Sequence, residues 1–463
     1  MTATRGRQAA ATGILSRRMA MRPRLRGPGS GISQVAAGFG TVLVVGTLLL
    51  MLPFASDSGD WVPPRTAFFT ATSAVCVTGL IVADTHVHWS GFGHVVILVL
   101  IQIGGLGYML GTSVVLWVMG RQMGLRDRNM LRLYYGAPSM TETFSFAKAV
   151  GLFSLVFEVA GVAVLTVAFM LDGTPPGQSL WWAFFHSISA FNNAGFSITG
   201  ADMAPFAANP VILLTLTVLI TAGALGFLPI VTFMRRRSFR RLPLDSKLIF
   251  VTFGSVLAAG AIFVGMAEWR NDDTLGGIEA RHRPVAALFH SANRTAGFGV
   301  VEVGAMTDES KIATMGLMFV GGAAGSAAGG LKVAAFSLLL AMMVATLRGR
   351  EVVTAFGRRI PPLVIQQATT LALYYVAMVF VCTVALTLTS ELAFVDVVFE
   401  AVSAVGTVGF SAGGTLSFGG AGHAVLIVAM LFGRFSPLLL ILYMSKPRRK
   451  LRYHHPSDSL RLG

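Results

Sequence analysis

The 463-residue chain is 54% hydrophobic and only 12% charged, with a mean hydropathy of +0.70. That balance excludes a soluble domain of this length and makes lipid the expected solvent for most of it. The formal net charge of +15 does not read as a nucleic-acid surface, because the basic residues flank apolar stretches and carry no interleaved base-stacking aromatics.

In chain order, residues 1–32 form a basic tail with Arg5, Arg7, Arg17, Arg18, Arg22, Arg24 and Arg26. It holds no long apolar core or small-residue cleavage pattern, so a cleaved signal peptide is not expected. A spanning helix needs roughly 20 mostly apolar residues, and 33–54, 92–119, 145–171, 209–234, 247–267, 362–389 and 421–445 supply them. Basic clusters at 121–132, 235–241, 348–359 and 446–452 alternate with segments marked by Asp57, Asp60, Asp172, Asp202, Asp272, Asp273, Glu302 and Glu391. Arg65, Arg270, Arg281 and Arg283 depart from the alternation. Cytoplasmic loops hold the positive charge, so both basic ends, 1–32 and 446–463, are expected in the cytoplasm of a multi-pass protein of the cell membrane. Cys76 and Cys382 lie far apart in apolar surroundings and need not be bridged.

A unit recurs four times: a long apolar span, a half-length apolar segment, a glycine loop and a second long span. The units are 33–120, 145–234, 247–347 and 362–445, and their half-length segments are 65–75, 180–191, 284–293 and 394–405. The loops that follow read Cys76-Val77-Thr78-Gly79, Asn192-Asn193-Ala194-Gly195, Arg294-Thr295-Ala296-Gly297 and Gly406-Thr407-Val408-Gly409, with the glycines roughly a hundred residues apart. The expected fold is an all-α polytopic membrane protein, four pseudo-repeated units of helix, pore helix, filter loop and helix around one central pore. Irregular backbone at membrane depth survives only inside protein or against a water-filled path, so the four loops are expected to face one another. Glycine permits positive φ and leaves room for an ion at the backbone. A ring of carbonyl oxygens then replaces a cation's hydration shell, and the C-terminal ends of the half-length helices favour positive charge. These four loops are the predicted ion-binding set. Helix packing through small residues is the competing reading of each loop taken alone.

Residues 320–330 hold five glycines and no large side chain after Val320. Each interior glycine costs a helix about 1 kcal/mol relative to alanine, so the second span of the third unit is expected to break here and form a movable gate. Gly321, Gly322, Gly325, Ser326, Gly329, Gly330 and the adjacent Lys332 are its predicted residues; a close helix contact is the alternative. Arg434 sits inside the apolar run 424–443, where a guanidinium is expensive unless it faces a cavity or a partner. Beneath a cation path it would repel the ion while the path is closed. His186 and His290 are expected to pack and hydrogen-bond within pore helices, since no ligand cluster surrounds them in sequence. Glu400 is expected to anchor pore helices, and Glu158 lies in a long span. No Walker-type phosphate loop occurs, so neither nucleotide hydrolysis nor any cofactor is expected of this chain.

On these residues the sequence resembles the Trk/Ktr/HKT superfamily of potassium transporters, specifically its Ktr-type membrane subunit. The resemblance spans nearly the whole chain. It rests on the four glycine loops, on Gln102-Ile103-Gly104-Gly105-Leu106-Gly107, on the stretch 321–330 followed by Leu331-Lys332-Val333, and on Gly433-Arg434 with Pro437-Leu438. Trk-type subunits typically carry two extra spans ahead of the repeats, whereas a basic tail of about thirty residues precedes the first span here. In the family, glycine in all four loops accompanies potassium permeation, and serine in the first is associated with sodium preference in some plant members. Gly79 therefore implies potassium as the transported ion, with sodium as an activating ion left open. The resemblance also implies a gating loop at 320–330, a gating role for Arg434, and a homodimer on a cytosolic ring of regulatory subunits that bind ATP or ADP. One departure is visible: Phe289 to Gly297 is two residues shorter than Phe69 to Gly79, Phe185 to Gly195 and Phe399 to Gly409. The third pore helix is expected to join its loop differently.

Overall fold

The computed structural model describes the backbone of residues 29–121 and 140–444, and within it the side chains of 37–107 and 147–435. Residues 1–28, the cluster Arg126, Arg128 and Arg132, and the tail 446–463 lie outside the described residues, as do the side chains of Arg121, Pro437 and Leu438. The described residues from Thr41 onward form one compact unit.

The helices are α1 (Gly29–Met51), the short α2 (Pro64–Val75) and α3 (Gly91–Arg121), then α4 (Met140–Leu171), the short α5 (Pro176–Phe191), α6 (Pro210–Leu225) and α7 (Phe227–Arg236). They continue with α8 (Leu244–Ala267), the short α9 (Arg283–Ala292), α10 (Asp308–Phe319) and α11 (Val333–Leu347), and close with α12 (Pro362–Thr387), the short α13 (Phe394–Gly406) and α14 (Gly420–Met444). Strands β1 (Thr354–Ala355) and β2 (Arg358–Arg359) pair antiparallel between α11 and α12.

Local sequence sets these boundaries. Proline opens α2, α5, α6 and α12, where its missing N–H costs nothing and its fixed φ suits a first turn. Asn209 caps α6 by accepting the N–H groups of Val211 and Ile212, and Thr307 caps α10 by accepting that of Ser310. The short helices pack inside the long ones: α2 against α3 and α14, α5 against α4 and α6, α9 against α8 and α6, α13 against α12 and α14. Their aromatic residues fill the centre, among them the buried Phe69, Phe185, Phe289 and Phe399. Outer faces remain apolar yet exposed, as at Leu152, Val156 and Val159 on α4 and Val376, Phe380 and Val381 on α12. Such a surface suits lipid contact, and α4, α8 and α12 are each long and apolar enough to cross a bilayer.

Two helices are interrupted. The stretch 209–234 reads in sequence as one span; in the structure it is α6 and α7, bent by 97° at Gly226, whose φ is +71°. The sequence Gly226-Phe227-Leu228-Pro229 is the physical reason, since glycine takes the positive φ and Pro229 tolerates the first turn of a new helix but not the interior of a continuing one. The second interruption separates α10 from α11 at 320–332, over the glycine-rich stretch.

The two breaks satisfy each other. A helix that stops within an apolar bundle leaves carbonyls without partners, and each unmet group there costs several kcal/mol. The α6 carbonyls of Gly223 and Ala224 accept the N–H groups of Ala327 (3.1 Å) and Ala323 (2.8 Å) from the second break. Within 320–333, Gly321 N–H donates to Leu331 O (2.9 Å) and Val333 N–H to Gly322 O (3.0 Å), which draws the segment into a closed loop.

Glycine contacts make a direct test of this packing. A Cβ on Gly223 would overlap the carbonyl oxygen of Phe191, whereas one on Gly254 in α8 meets nothing within 4 Å. Gly223→Ala is expected to lower the detergent melting temperature by the equivalent of about 1–3 kcal/mol, the usual cost of overpacking. Gly254→Ala is expected to leave it unchanged or raise it slightly. Equal melting of the two variants contradicts the packing.

Candidate functional site

The short helices deliver four loops, and the hydrogen bonds of those loops aim their carbonyls. After α2, Thr78 N–H donates to Ser73 O (2.8 Å) and Gly79 N–H to Ser73 Oγ (3.1 Å). After α13 the same pair recurs, Val408 N–H to Ser403 O (2.9 Å) and Gly409 N–H to Ser403 Oγ (3.1 Å). A trans peptide is planar, so turning the N–H of Gly79 back onto the helix turns the Thr78 carbonyl the opposite way. The loop after α5 is built alike, with Ala194 N–H on Ser189 O (2.8 Å) and Ser189 Oγ donating to Phe196 O (2.9 Å). In these three loops the residue two before the glycine is left-handed: Val77 at φ +56°, Asn193 at +58° and Thr407 at +47°.

The third loop differs. Helix α9 runs into a 3-10 turn at Asn293–Thr295, and no left-handed residue precedes Gly297. Gly297 N–H instead donates to Asn293 O (2.8 Å), and Phe298 N–H to Asn293 Oδ1 (3.3 Å). The two missing residues are absorbed in this tighter turn, and Gly297 still reaches φ +80°.

The four loops close into a ring. A Cβ on Gly79 would overlap the carbonyl oxygen of Ala194; on Gly195, that of Ala296; on Gly297, that of Val408; and on Gly409, that of Thr78. Each glycine thus abuts the carbonyl that precedes the next glycine in chain order, and the last returns to the first. All four glycines have positive φ, between +70° and +104°. A side chain at any of these positions would force the neighbouring loop backbone to shift.

A second set of glycines holds the ring from outside. Gly104, Gly223 and Gly433, on α3, α6 and α14, abut the carbonyls of Val75, Phe191 and Val405, each four residues before a ring glycine. Gly105 abuts the Asn192 side chain, whose Nδ2 donates to Gln102 Oε1 (2.7 Å), while Gln102 Nε2 donates to Glu158 Oε1 (3.0 Å). The charged and polar groups named in sequence also serve the loops. Glu400 Oε1 accepts from Ser411 Oγ (2.6 Å), Ala412 N–H (3.0 Å) and Gly414 N–H (3.1 Å), tying α13 to the chain beyond Gly409. His186 Nε2 lies 3.0 Å from Ser197 Oγ in the corresponding place after Gly195, and His290 stacks on Phe410 at 4.9 Å. No group of three metal-ligating side chains occurs among the described residues.

On one side of the ring lies a cavity of about 410 Å³ lined by the four glycines with Asp84, Asp202 and Glu302. Asp202 Oδ2 accepts the Gly299 N–H at 2.5 Å. Burial pushes the Asp202 carboxyl up to about 7, against the pull of that hydrogen bond. Segment 320–330 contacts the loops elsewhere: a Cβ on Gly329 would overlap Thr407 Oγ1 and lie 2.6 Å from Gly406 O. Arg434 Nη1 donates to Ala327 O (2.5 Å) and its Nη2 to Gly104 O (3.2 Å), and Lys332 Nζ donates to Ala328 O (2.7 Å). The Arg294 side chain turns away from the ring and donates to Val320 O.

Sequence reading missed Ser73, Ser189 and Ser403, although each stands six residues before a ring glycine and that constant offset was available. It also missed Gly223, inside a stretch read as an uninterrupted span.

A helical bundle with apolar outer faces and crossing-length helices defines a multi-pass membrane protein. The family model described as a cation transport protein, TrkH, matches residues 30–452, and the chain belongs to that family. It is 33% identical to the Ktr system potassium uptake protein B of Bacillus subtilis over 90% of this chain and 94% of that protein. It is 32% identical to the potassium/sodium uptake protein NtpJ of Enterococcus hirae, over 96% and 99%. The crystal structure of the potassium transporter TrkH from Vibrio parahaemolyticus superposes with a TM-score of 0.67 at 20% identity, covering 91% of this chain and 86% of that one, and carries the same fold. The family and these relatives are transporters, so the chain is a membrane cation transporter and not an enzyme.

The position of Asp202 generates a pH dependence. Above pH 7 its carboxylate adds negative potential beside the ring; below, protonation removes it. Cation flux with the cavity side at pH 8 is expected to exceed that at pH 6, and Asp202→Asn is expected to lower flux at pH 8 and flatten the difference. The neighbouring Asp84 and His86 remain in that variant, so an unchanged pH profile excludes Asp202 as its origin.

Proposed function

We propose that this chain is a gated potassium-uptake subunit of the cell membrane in which the four glycine loops form one selectivity filter. The closed ring in which the Thr78, Ala194, Ala296 and Val408 carbonyls each abut the glycine of the preceding loop carries this reading. Four units of helix, pore helix, loop and helix surround a single pore, and Cys76–Gly79, Asn192–Gly195, Arg294–Gly297 and Gly406–Gly409 supply oxygens that replace the hydration shell of the ion. Glycine at every ring position and the potassium-uptake relatives support potassium. The relative described as a potassium/sodium uptake protein supports a second reading, a pore that passes sodium as well.

Segment 320–330 is the gate, held shut by the carbonyls of Gly223 and Ala224 and by Arg434 and Lys332. The two cations face carbonyls of the segment, so displacing it releases positive charge as well as backbone. The exposed Arg235, Arg236, Arg348, Arg350, Arg358 and Arg359 form the cytoplasmic face, with both termini on that side. A membrane potential supplies about 2.3 kcal/mol per charge per 100 mV, which sustains roughly fifty-fold accumulation of a monovalent cation without coupling to sodium. The subunit works as a homodimer on a cytosolic ring that binds ATP or ADP, and the basic face receives that ring.

Three outcomes test the reading. Expression with a cytosolic regulatory subunit should restore growth of a potassium-uptake-deficient bacterium at low potassium; no rescue by well-expressed protein contradicts it. Gly79→Ser places a side chain against the Ala194 carbonyl at φ +89°, and potassium-over-sodium flux in liposomes should fall, where an unchanged ratio removes the filter assignment. Deleting 322–329 should raise basal flux, and loss of flux with the fold retained removes the gate.

A further inference from the structure

Arg294 belongs to the third loop by sequence but not to the ring by geometry. Its side chain is fully buried and runs from the 3-10 turn of that loop to Val320, where α10 ends and segment 320–330 begins. Nη1 donates to Val320 O, and the guanidinium lies 4.6 Å over the ring of Phe253 on α8. Nε and Nη2 have no hydrogen-bond partner among the described residues, and no ion pair there includes Arg294. A buried guanidinium held by one backbone carbonyl and one aromatic face is expensive for stability alone. An apolar side chain of similar volume would fill the space at lower cost.

Its surroundings give it another use. Phe253 and Val320 share one apolar cluster with Ala323 and Ala328 of the segment and with Ala224 at the α6 break. In the first, second and fourth loops a glycine of the following helix abuts the carbonyl four residues before the ring glycine. At the third loop the following helix is broken, and the Arg294 link to Val320 is the direct hydrogen bond between that loop and the break.

We propose that Arg294 is a positioning residue that links the third loop to the hinge of the gating segment, so that displacement of the segment shifts Ala296 and Gly297 and alters ion selection as well as opening. The inference rests on the reading of the ring as filter and of 320–330 as gate. Movement at Val320 draws on the guanidinium, which is anchored through Thr295 and Ala296 to the ring carbonyl. The two spare donors can take up new carbonyls as the segment moves, which an apolar replacement cannot do.

The test uses the full chain in liposomes under a potassium gradient, with sodium flux measured in parallel. Arg294→Met removes the hydrogen bond and the charge while keeping volume. Basal flux should rise about fivefold, the factor that one lost hydrogen bond is worth in an equilibrium, and potassium-over-sodium preference should fall. In the chain lacking 322–329, Arg294→Met should change basal flux no further, because the link then has nothing to restrain. Wild-type basal flux and selectivity in Arg294→Met overturn the inference, as does the same fold-increase with and without the segment. Should Arg294→Met fail to fold, Phe253→Leu removes the stacking partner alone; a smaller change in the same direction supports the link, and unaltered flux and selectivity overturn it. Wild-type liposomes that pass no potassium would instead defeat the transport reading itself.

Discussion

Lipid offers no hydrogen bonds, so every peptide group inside an apolar bundle must find its partner within the protein. The architecture follows from where this chain leaves helical pairing and how it then satisfies the freed groups. At the ends of α2, α5 and α13 the carbonyls of Ser73, Ser189 and Ser403 collect loop N–H groups, and the Ser73 and Ser403 hydroxyls collect those of Gly79 and Gly409, which turns the carbonyls before the ring glycines away from the helix ends. Those carbonyls meet the bare backbone of the preceding loop's glycine around the ring. A single methyl group at any of the four positions would overlap a neighbour's oxygen, so glycine is favoured sterically as well as conformationally.

The same constraint accounts for the two broken helices. Neither the break at Gly226 nor that at 320–332 would be tolerable alone, since each exposes backbone. Together they exchange two hydrogen bonds, and Arg434, Lys332 and Arg294 each donate to a carbonyl at or within the second break. A segment held mainly by backbone hydrogen bonds and cationic donors, and built of glycine and alanine, has few large side chains to unpack if it moves. That is the physical basis for treating it as a gate.

The legibility of this arrangement in sequence was uneven. The short helices were visible because half-length apolar segments, each followed by a glycine loop, are too short to cross a bilayer, and their expected bounds 65–75, 180–191 and 394–405 lie close to Pro64–Val75, Pro176–Phe191 and Phe394–Gly406. The shortening between Phe289 and Gly297 foretold a different third junction, which the structure resolves as a 3-10 turn. The bend at Gly226 was hidden because 209–234 is apolar throughout, and hydropathy is blind to backbone direction; Gly226 with Pro229 three residues on was the available signal. Hydrogen-bond roles were hidden for another reason. Ser73 and Ser403 lie in helices where serine is unremarkable, and only the closing of the loop onto the helix end shows which N–H they collect. Arg294 was grouped with its loop by adjacency, although its long side chain works at Val320.

The central claim is that carbonyls from four separate stretches of one chain hold a desolvated cation on a common axis. Anomalous diffraction from the protein loaded with rubidium measures this directly. Density is expected on the axis bounded by the Thr78, Ala194, Ala296 and Val408 carbonyls, diminished in Gly79→Ser. Rubidium bound elsewhere in the molecule, with that axis empty in protein that still transports potassium, would contradict it.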